Sequence, residues 1–177
     1  MNERKAQRII ALDIRSQRFG YAVIEAPPIR LLDWGVRTVG TRRRTWHVAD
    51  LIRMYRPCFV VVRRRKTGGK RDTPGARNIM RAIRSEARQG HVPVAQISEW
   101  ALKKFFRGYG KRTKHEIASL LAASFTELKW KLPPPRRVKF WRPESARMGI
   151  FDATAIGIVF LAQHSASGAL QELFANS

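Results

Sequence analysis

The sequence predicts an α/β domain, a mixed five-stranded sheet flanked by helices, in a single unit spanning residues 1–177. Three observations predict it. The first third of the chain holds three short apolar segments with turn-sized joins, the pattern of an antiparallel meander. From Val48 onward, helical apolar spacing alternates with short β-branched runs, the pattern of strands joined by crossover helices. A length of 177 residues with 44% apolar content suits one core-forming domain and excludes a disordered basic tail.

The elements follow in order. Arg8 to Ile14, Phe19 to Glu25 and Arg30 to Val36 read as strands, the first two separated by a hairpin-sized join. Val48, Leu51, Ile52 and Tyr55 fall on one helical face that Pro57 ends. Phe59 to Val62 is a continuous run suited to a strand buried on both faces. Pro74 opens a helix carrying Ile79, Met80 and Ile83, stopped by Gly90, and Val92 to Ile97 is a short fifth strand. Ser98 is placed to cap the next helix, with Glu99 in its first turn. Thr113 caps the one after, with Glu116 at the capping-box position, and its apolar face runs through Ile117, Leu120, Leu121, Ser124, Phe125 and Leu128. A proline-rich linker at Pro133–Pro135 leads to a last helix from about Ser145 to Gln163. The order βββαβαβααα is that of the ribonuclease H-like fold.

Charge narrows the function. Thirty-five Lys and Arg against 13 Asp and Glu leave a net charge of +22. A bias of that sign and size is expected of a chain that meets nucleic acid. The longest nearly uncharged run, Met148 to Ala162, is 15 residues and contains Asp152, too short for a membrane span of about 20 residues. The polar start lacks a signal-peptide core, and the single Cys58 rules out an internal disulfide or a cysteine zinc site. A cytoplasmic protein without a membrane partner is the expectation.

Two carboxylates interrupt apolar segments: Asp13 at the end of the first strand and Asp152 inside the most apolar helix. An isolated buried carboxylate costs several kcal/mol, so each needs a partner. Either each is paired with an arginine, or both face one site and hold a divalent cation.

From Arg8 to about Ala162 the chain resembles the RuvC-type Holliday-junction resolvases. Residues 8–25, with Asp13 ending the first strand and Gly20 in the second, resemble the opening of that family. Residues 56–63 resemble its fourth strand, residues 93–117 the segment bearing two family lysines (here Lys103 and Lys114), and residues 149–164 its final helix with the metal-binding Asp (here Asp152). The resemblance implies a Mg²⁺- or Mn²⁺-dependent DNA endonuclease acting on branched DNA as a homodimer. It implies catalytic roles for Asp13, Asp152, Lys103 and Lys114, with Asp13 and Asp152 as metal ligands and the dimer contact on the helix at Pro74 to Gln89. Family members hold their metals with four carboxylates, and this chain departs at two of those places. The matching residues are Arg63 and Gly149. Asp50 and Glu144 are the acids considered as replacements, and His164 a proton carrier. Two facing carboxylates need a cation between them, which a guanidinium supplies as well as a metal. The expectation is that Arg63 takes the place of the metal.

Basic clusters offer phosphate contacts: Arg42, Arg43 and Arg44; Arg63, Arg64, Arg65 and Lys66 with Lys70 and Arg71; Lys111 and Arg112; and Arg136, Arg137, Lys139 and Arg142 with Phe140 and Trp141 interleaved. No base-reading motif is present, so recognition of backbone and shape is expected. Three readings stand: a structure-selective binder of branched nucleic acid with a silent, depleted metal site; an active metal-dependent junction endonuclease; or a structural part of a nucleoprotein assembly.

Overall fold

The structure, a computed structural model, describes residues 6–39, 46–64, 68–69, 72–135, 145–164, 170 and 173–174. Its strands are β1 (Gln7–Ile14), β2 (Arg18–Ala26), β3 (Arg30–Thr38), β4 (Phe59–Arg63) and β5 (Val94–Ile97). Its helices are α1 (Trp46–Tyr55), α2 (Pro74–Gln89), α3 (Glu99–Gly108), α4 (Lys114–Ser124) and α5 (Met148–His164), with a 3₁₀ helix at Thr126–Lys131.

The sheet runs β3-β2-β1-β4-β5. The meander is antiparallel, with Asp13 opposite Gly20. β4 lies parallel to β1, Leu12 beside Val62, and β5 lies parallel to β4. This is the expected ribonuclease H-like arrangement.

Strand alternation divides the core in two. Ile9 and Ala11 of β1 and Val61 of β4 face α5, together with Leu102 and Phe106 of α3 and Ala118 and Leu121 of α4. Ile10, Leu12 and Ile14 face the other way, against Val48, Leu51 and Ile52 of α1 and Ile79 and Ile83 of α2. β1 is therefore covered on both faces, which is why it reads as a continuous apolar run.

The caps form as their sequences predict. Ser98 accepts from the Ala101 N–H, and Thr113 and Glu116 complete a reciprocal capping box. The backbone N–H groups of Thr113 and Arg112 hold the Glu116 carboxyl below its ordinary pKa. One expectation needs correction. The face running to Leu128 is not one helix: α4 stops at Ser124, Phe125 is extended, and the chain tightens into the 3₁₀ helix. The Ser124 hydroxyl donates back to the Leu120 carbonyl (3.0 Å), and the break buries both Phe125 and Leu128. The last helix starts at Met148, after a turn in which the Met148 N–H donates to the Ser145 carbonyl.

Fourteen residues of α5, Met148 through Leu161, are buried. Glycines let the helix lie close on the sheet. A Cβ on Gly20 would stand 2.1 Å from the Gly149 carbonyl oxygen, so β2 and the first turn of α5 touch backbone to backbone. No helix among the described residues is long and apolar enough to cross a membrane.

Candidate functional site

The parallel register of β1 and β4 sets Asp13 and Arg63 side by side, one residue beyond the Leu12–Val62 pair, and alternation turns both toward α5. The crossing of α5 at Gly20 then places Asp152, one turn into the helix, over the same spot. Asp13 is fully buried and Asp152 8% exposed.

All four oxygens of these two carboxylates face nitrogen cations. Arg15 Nε lies 2.7 Å from Asp13 Oδ2 and Arg15 Nη2 lies 2.8 Å from Asp152 Oδ2. Arg63 Nε lies 3.5 Å from Asp13 Oδ1 and Arg63 Nη2 lies 3.1 Å from Asp152 Oδ1. The result is a closed ring, Asp13–Arg15–Asp152–Arg63. Each acid is bridged to the other by two guanidiniums, whose planar forks reach two carboxylates at once.

The lysines arrive from outside the ring. Lys114, at the start of α4, sets Nζ 3.3 Å from Asp152 Oδ2. Lys103 does so at one remove. It lies 3.5 Å from Glu99, and Glu99 in turn lies 3.4 Å from Arg63 Nη1. Glu99 is thus both a first-turn acid of α3 and a partner of the site. Burial acts to lower the Arg63 pKa, but Asp152, Asp13 and Glu99 together outweigh it and hold the guanidinium above its ordinary value.

Arg15 is the residue that the sequence reading did not include. The signal was available: Arg15 lies one residue past the end of β1 and two after Asp13, so the strand's alternation carried one step further puts it on the same face. Arg63, grouped by sequence with the phosphate-contacting arginines, has a side chain only 10% exposed and aimed into the ring. Arg64, the next residue, is exposed, as is Arg112; Lys111 is half-buried. Arg42, Arg43, Arg44, Arg65, Lys66, Lys70, Arg71, Arg136, Arg137, Lys139, Arg142 and Glu144 lie outside the described residues.

Asp50 does not join the site. α1 packs on the face of the sheet opposite α5, and Asp50 there pairs with Arg53. It lines a separate cavity of about 600 Å³ with Asp33, Arg37, Leu51 and Met54. Beside that cavity Asp33 accepts from the hydroxyls of Tyr21 (3.3 Å) and Tyr55 (3.2 Å). Burial, then the Asp33 charge, pushes the Tyr21 phenol up to about 12. His164 stacks on Phe160 at the far end of α5, about 18 Å along the helix from Asp152.

A magnesium or manganese ion does not fit these residues. Such ions need hard oxygen ligands in a near-octahedral shell. Here the carboxylate oxygens already face guanidiniums, and among the described residues no group of three or more His, Cys, Asp or Glu is placed to hold a metal. A divalent cation about 4 Å from a guanidinium would meet a repulsion of several kcal/mol even at an effective dielectric of 20.

No protein-family model and no curated protein sequence matches the chain. Solved structures do. The RuvC structure from Thermus thermophilus aligns with a TM-score of 0.65 at 21% identity, covering 89% of this chain and 96% of that one. The chain has the RuvC-type ribonuclease H-like fold. RuvC from the same organism in complex with a Holliday junction substrate aligns at 0.64 and 20% identity, over 90% of this chain and 97% of that one. The yeast mitochondrial Holliday junction resolvase aligns at 0.56 and 10% identity, over 96% and 82%. Fowlpox virus resolvase, solved with Holliday junction DNA, aligns at 0.52 and 12% identity, over 88% and 99%. At these identities the likeness is one of fold, and it extends over nearly the whole RuvC chain.

Proposed function

We propose that the protein is a structure-selective nucleic-acid-binding protein that recognises branched DNA and does not cleave it by a metal-dependent route. The Asp13–Arg15–Asp152–Arg63 ring carries this reading, because two guanidiniums occupy the space between the acids where resolvases of this fold would place metal. The fold, shared with resolvases solved on Holliday junctions, and the net charge of +22 support DNA as the partner. The described basic residues next to the ring and open to phosphate are Lys103 and Lys114, with side chains 58% and 42% exposed; Arg64 and Arg112 are also exposed.

The second reading is an active endonuclease with an altered ligand set. One observation favours it: Glu99 brings a third carboxylate to Arg63. It requires both guanidiniums to leave, exposing Asp13 and Asp152 together.

A four-way junction labelled on one strand tests the two. The proposed protein binds it equally well with EDTA or magnesium and leaves the strand intact. Magnesium- or manganese-dependent nicking that Asp13→Asn abolishes would establish the nuclease instead.

A further inference from the structure

Helix α2 carries a second basic surface that the site does not use. Arg77, Arg81, Arg84 and Arg88 are all exposed, while Ala76, Ile79, Ile83 and Ala87 are buried against the sheet and α1. The spacing of four, three and four residues puts the arginines within an arc of about 60° along the helix. The only acid on the helix is Glu86, which is half-buried. Arg77 is paired with Asp72 at 3.1 Å. The other three span about 10 Å of helix, the axial length of about three phosphate-to-phosphate steps of one DNA strand at 3.4 Å each.

Placement gives the stripe its meaning. α2 lies on the sheet face opposite α5, whereas α3 and α4, with Lys103, Lys104, Arg107 and Lys114, lie on the α5 face. The two basic tracks meet at one edge. A Cβ on Gly75 would stand 2.2 Å from the Ser16 carbonyl oxygen, so α2 begins against the β1–β2 turn, one residue from Arg15. A straight duplex lying along one face of the sheet does not reach the other. Two arms leaving a crossover do.

We propose that α2 holds a second arm of branched DNA through Arg81, Arg84 and Arg88, while the rim of the ring holds the first. This rests on the branched-DNA reading above and says where its selectivity resides. Arginine suits the role because its fork grips phosphate bidentately, without reading sequence.

The test compares a four-way junction with a linear duplex of equal length in competition binding, using wild type and the triple variant Arg81→Gln, Arg84→Gln, Arg88→Gln. These side chains are exposed, so folding should survive, and a matched thermal melt checks it. The expected result is a fall in junction affinity of about thirtyfold and in duplex affinity of less than about threefold, with the salt slope of junction binding shallower by about 3. The corresponding triple lysine variant keeps the charge but loses the bidentate fork, so it should restore the salt slope while binding the junction more weakly than wild type and more tightly than the glutamine variant. A glutamine variant with the wild-type preference for junctions overturns the inference while leaving the branched-DNA reading intact. So does a variant whose mass by sedimentation changes while junction binding does not, which would make α2 a self-association surface. A wild type without junction preference overturns both.

Discussion

Asp13 and Asp152 are buried acids whose like charges must be balanced, and Arg15 and Arg63 balance them from opposite sides. Replacing Arg63 with Gln leaves a carboxylate without half of its compensation in a site from which water is largely excluded. Removing one partner of a buried pair costs about 3–5 kcal/mol, and urea unfolding of Arg63→Gln should show a loss near that range. Arg64→Gln, at an exposed position one residue on, should change stability by less than about 0.5 kcal/mol. The need for a counter-charge at Asp13 and Asp152 was legible in the sequence, because each acid interrupts an apolar segment. That Arg63 answers it followed from its place at the end of a buried strand. Arg15 was legible only by carrying the strand parity one residue beyond β1, since it opens the turn to β2 and in so basic a chain looks like any turn residue. This second arginine changes the design of a metal site: Arg63→Glu alone leaves Arg15 bridging both acids, so a ligand set requires Arg15→Ser as well.

The position of α5 depends on two glycines in contact. Gly20→Ala would put a methyl 2.1 Å from the Gly149 carbonyl oxygen, which is backbone and cannot rotate away. The helix would have to shift, carrying Asp152 away from the ring. A cost of about 2 kcal/mol or more is expected, measurable as a lowered denaturation midpoint. The capping box of α4 makes a pH-dependent contribution. The Glu116 pKa is lowered on folding, so its contribution is full above the unfolded value near 4.5 and is lost as pH falls through the folded value. Glu116→Gln should therefore flatten the stability profile below about pH 4.5. Caps such as Ser98 and Thr113 were readable because they depend on residues three apart. The break at Phe125 was not, because the apolar spacing continues through it and only burial against the core decides where the helix stops. Glu99 shows the same limit. Its place at a helix start was local and visible, but its contact with Arg63 spans 36 residues.

For the whole molecule, the two-faced sheet separates the titrating groups. On the α1 face, Tyr21 holds its proton up to about 12. A folded-state pKa above the ordinary value near 10 gives stability that is complete below pH 10 and is lost as pH rises toward 12, about 2–3 kcal/mol in all. Tyr21→Phe should reduce that alkaline loss, seen as urea midpoints that fall less steeply across this range, with Tyr55, raised by burial and by the same Asp33, keeping a share of it. The strand order was legible because two short joins force a meander and the crossover helices force parallel pairing. Which face each helix covers was not, and that assignment removes Asp50 from the site and sets α2 apart from α3 and α4. Arg15 and Arg63 fill the space between Asp13 and Asp152 that a metal ion would need. Calorimetric titration of the wild-type protein with manganese tests this most directly, with the Arg15→Ser, Arg63→Glu variant beside it. The wild type should give no saturable heat at millimolar manganese, and the double variant should show a measurable site. A tight, stoichiometric manganese site in the wild type would contradict this arrangement.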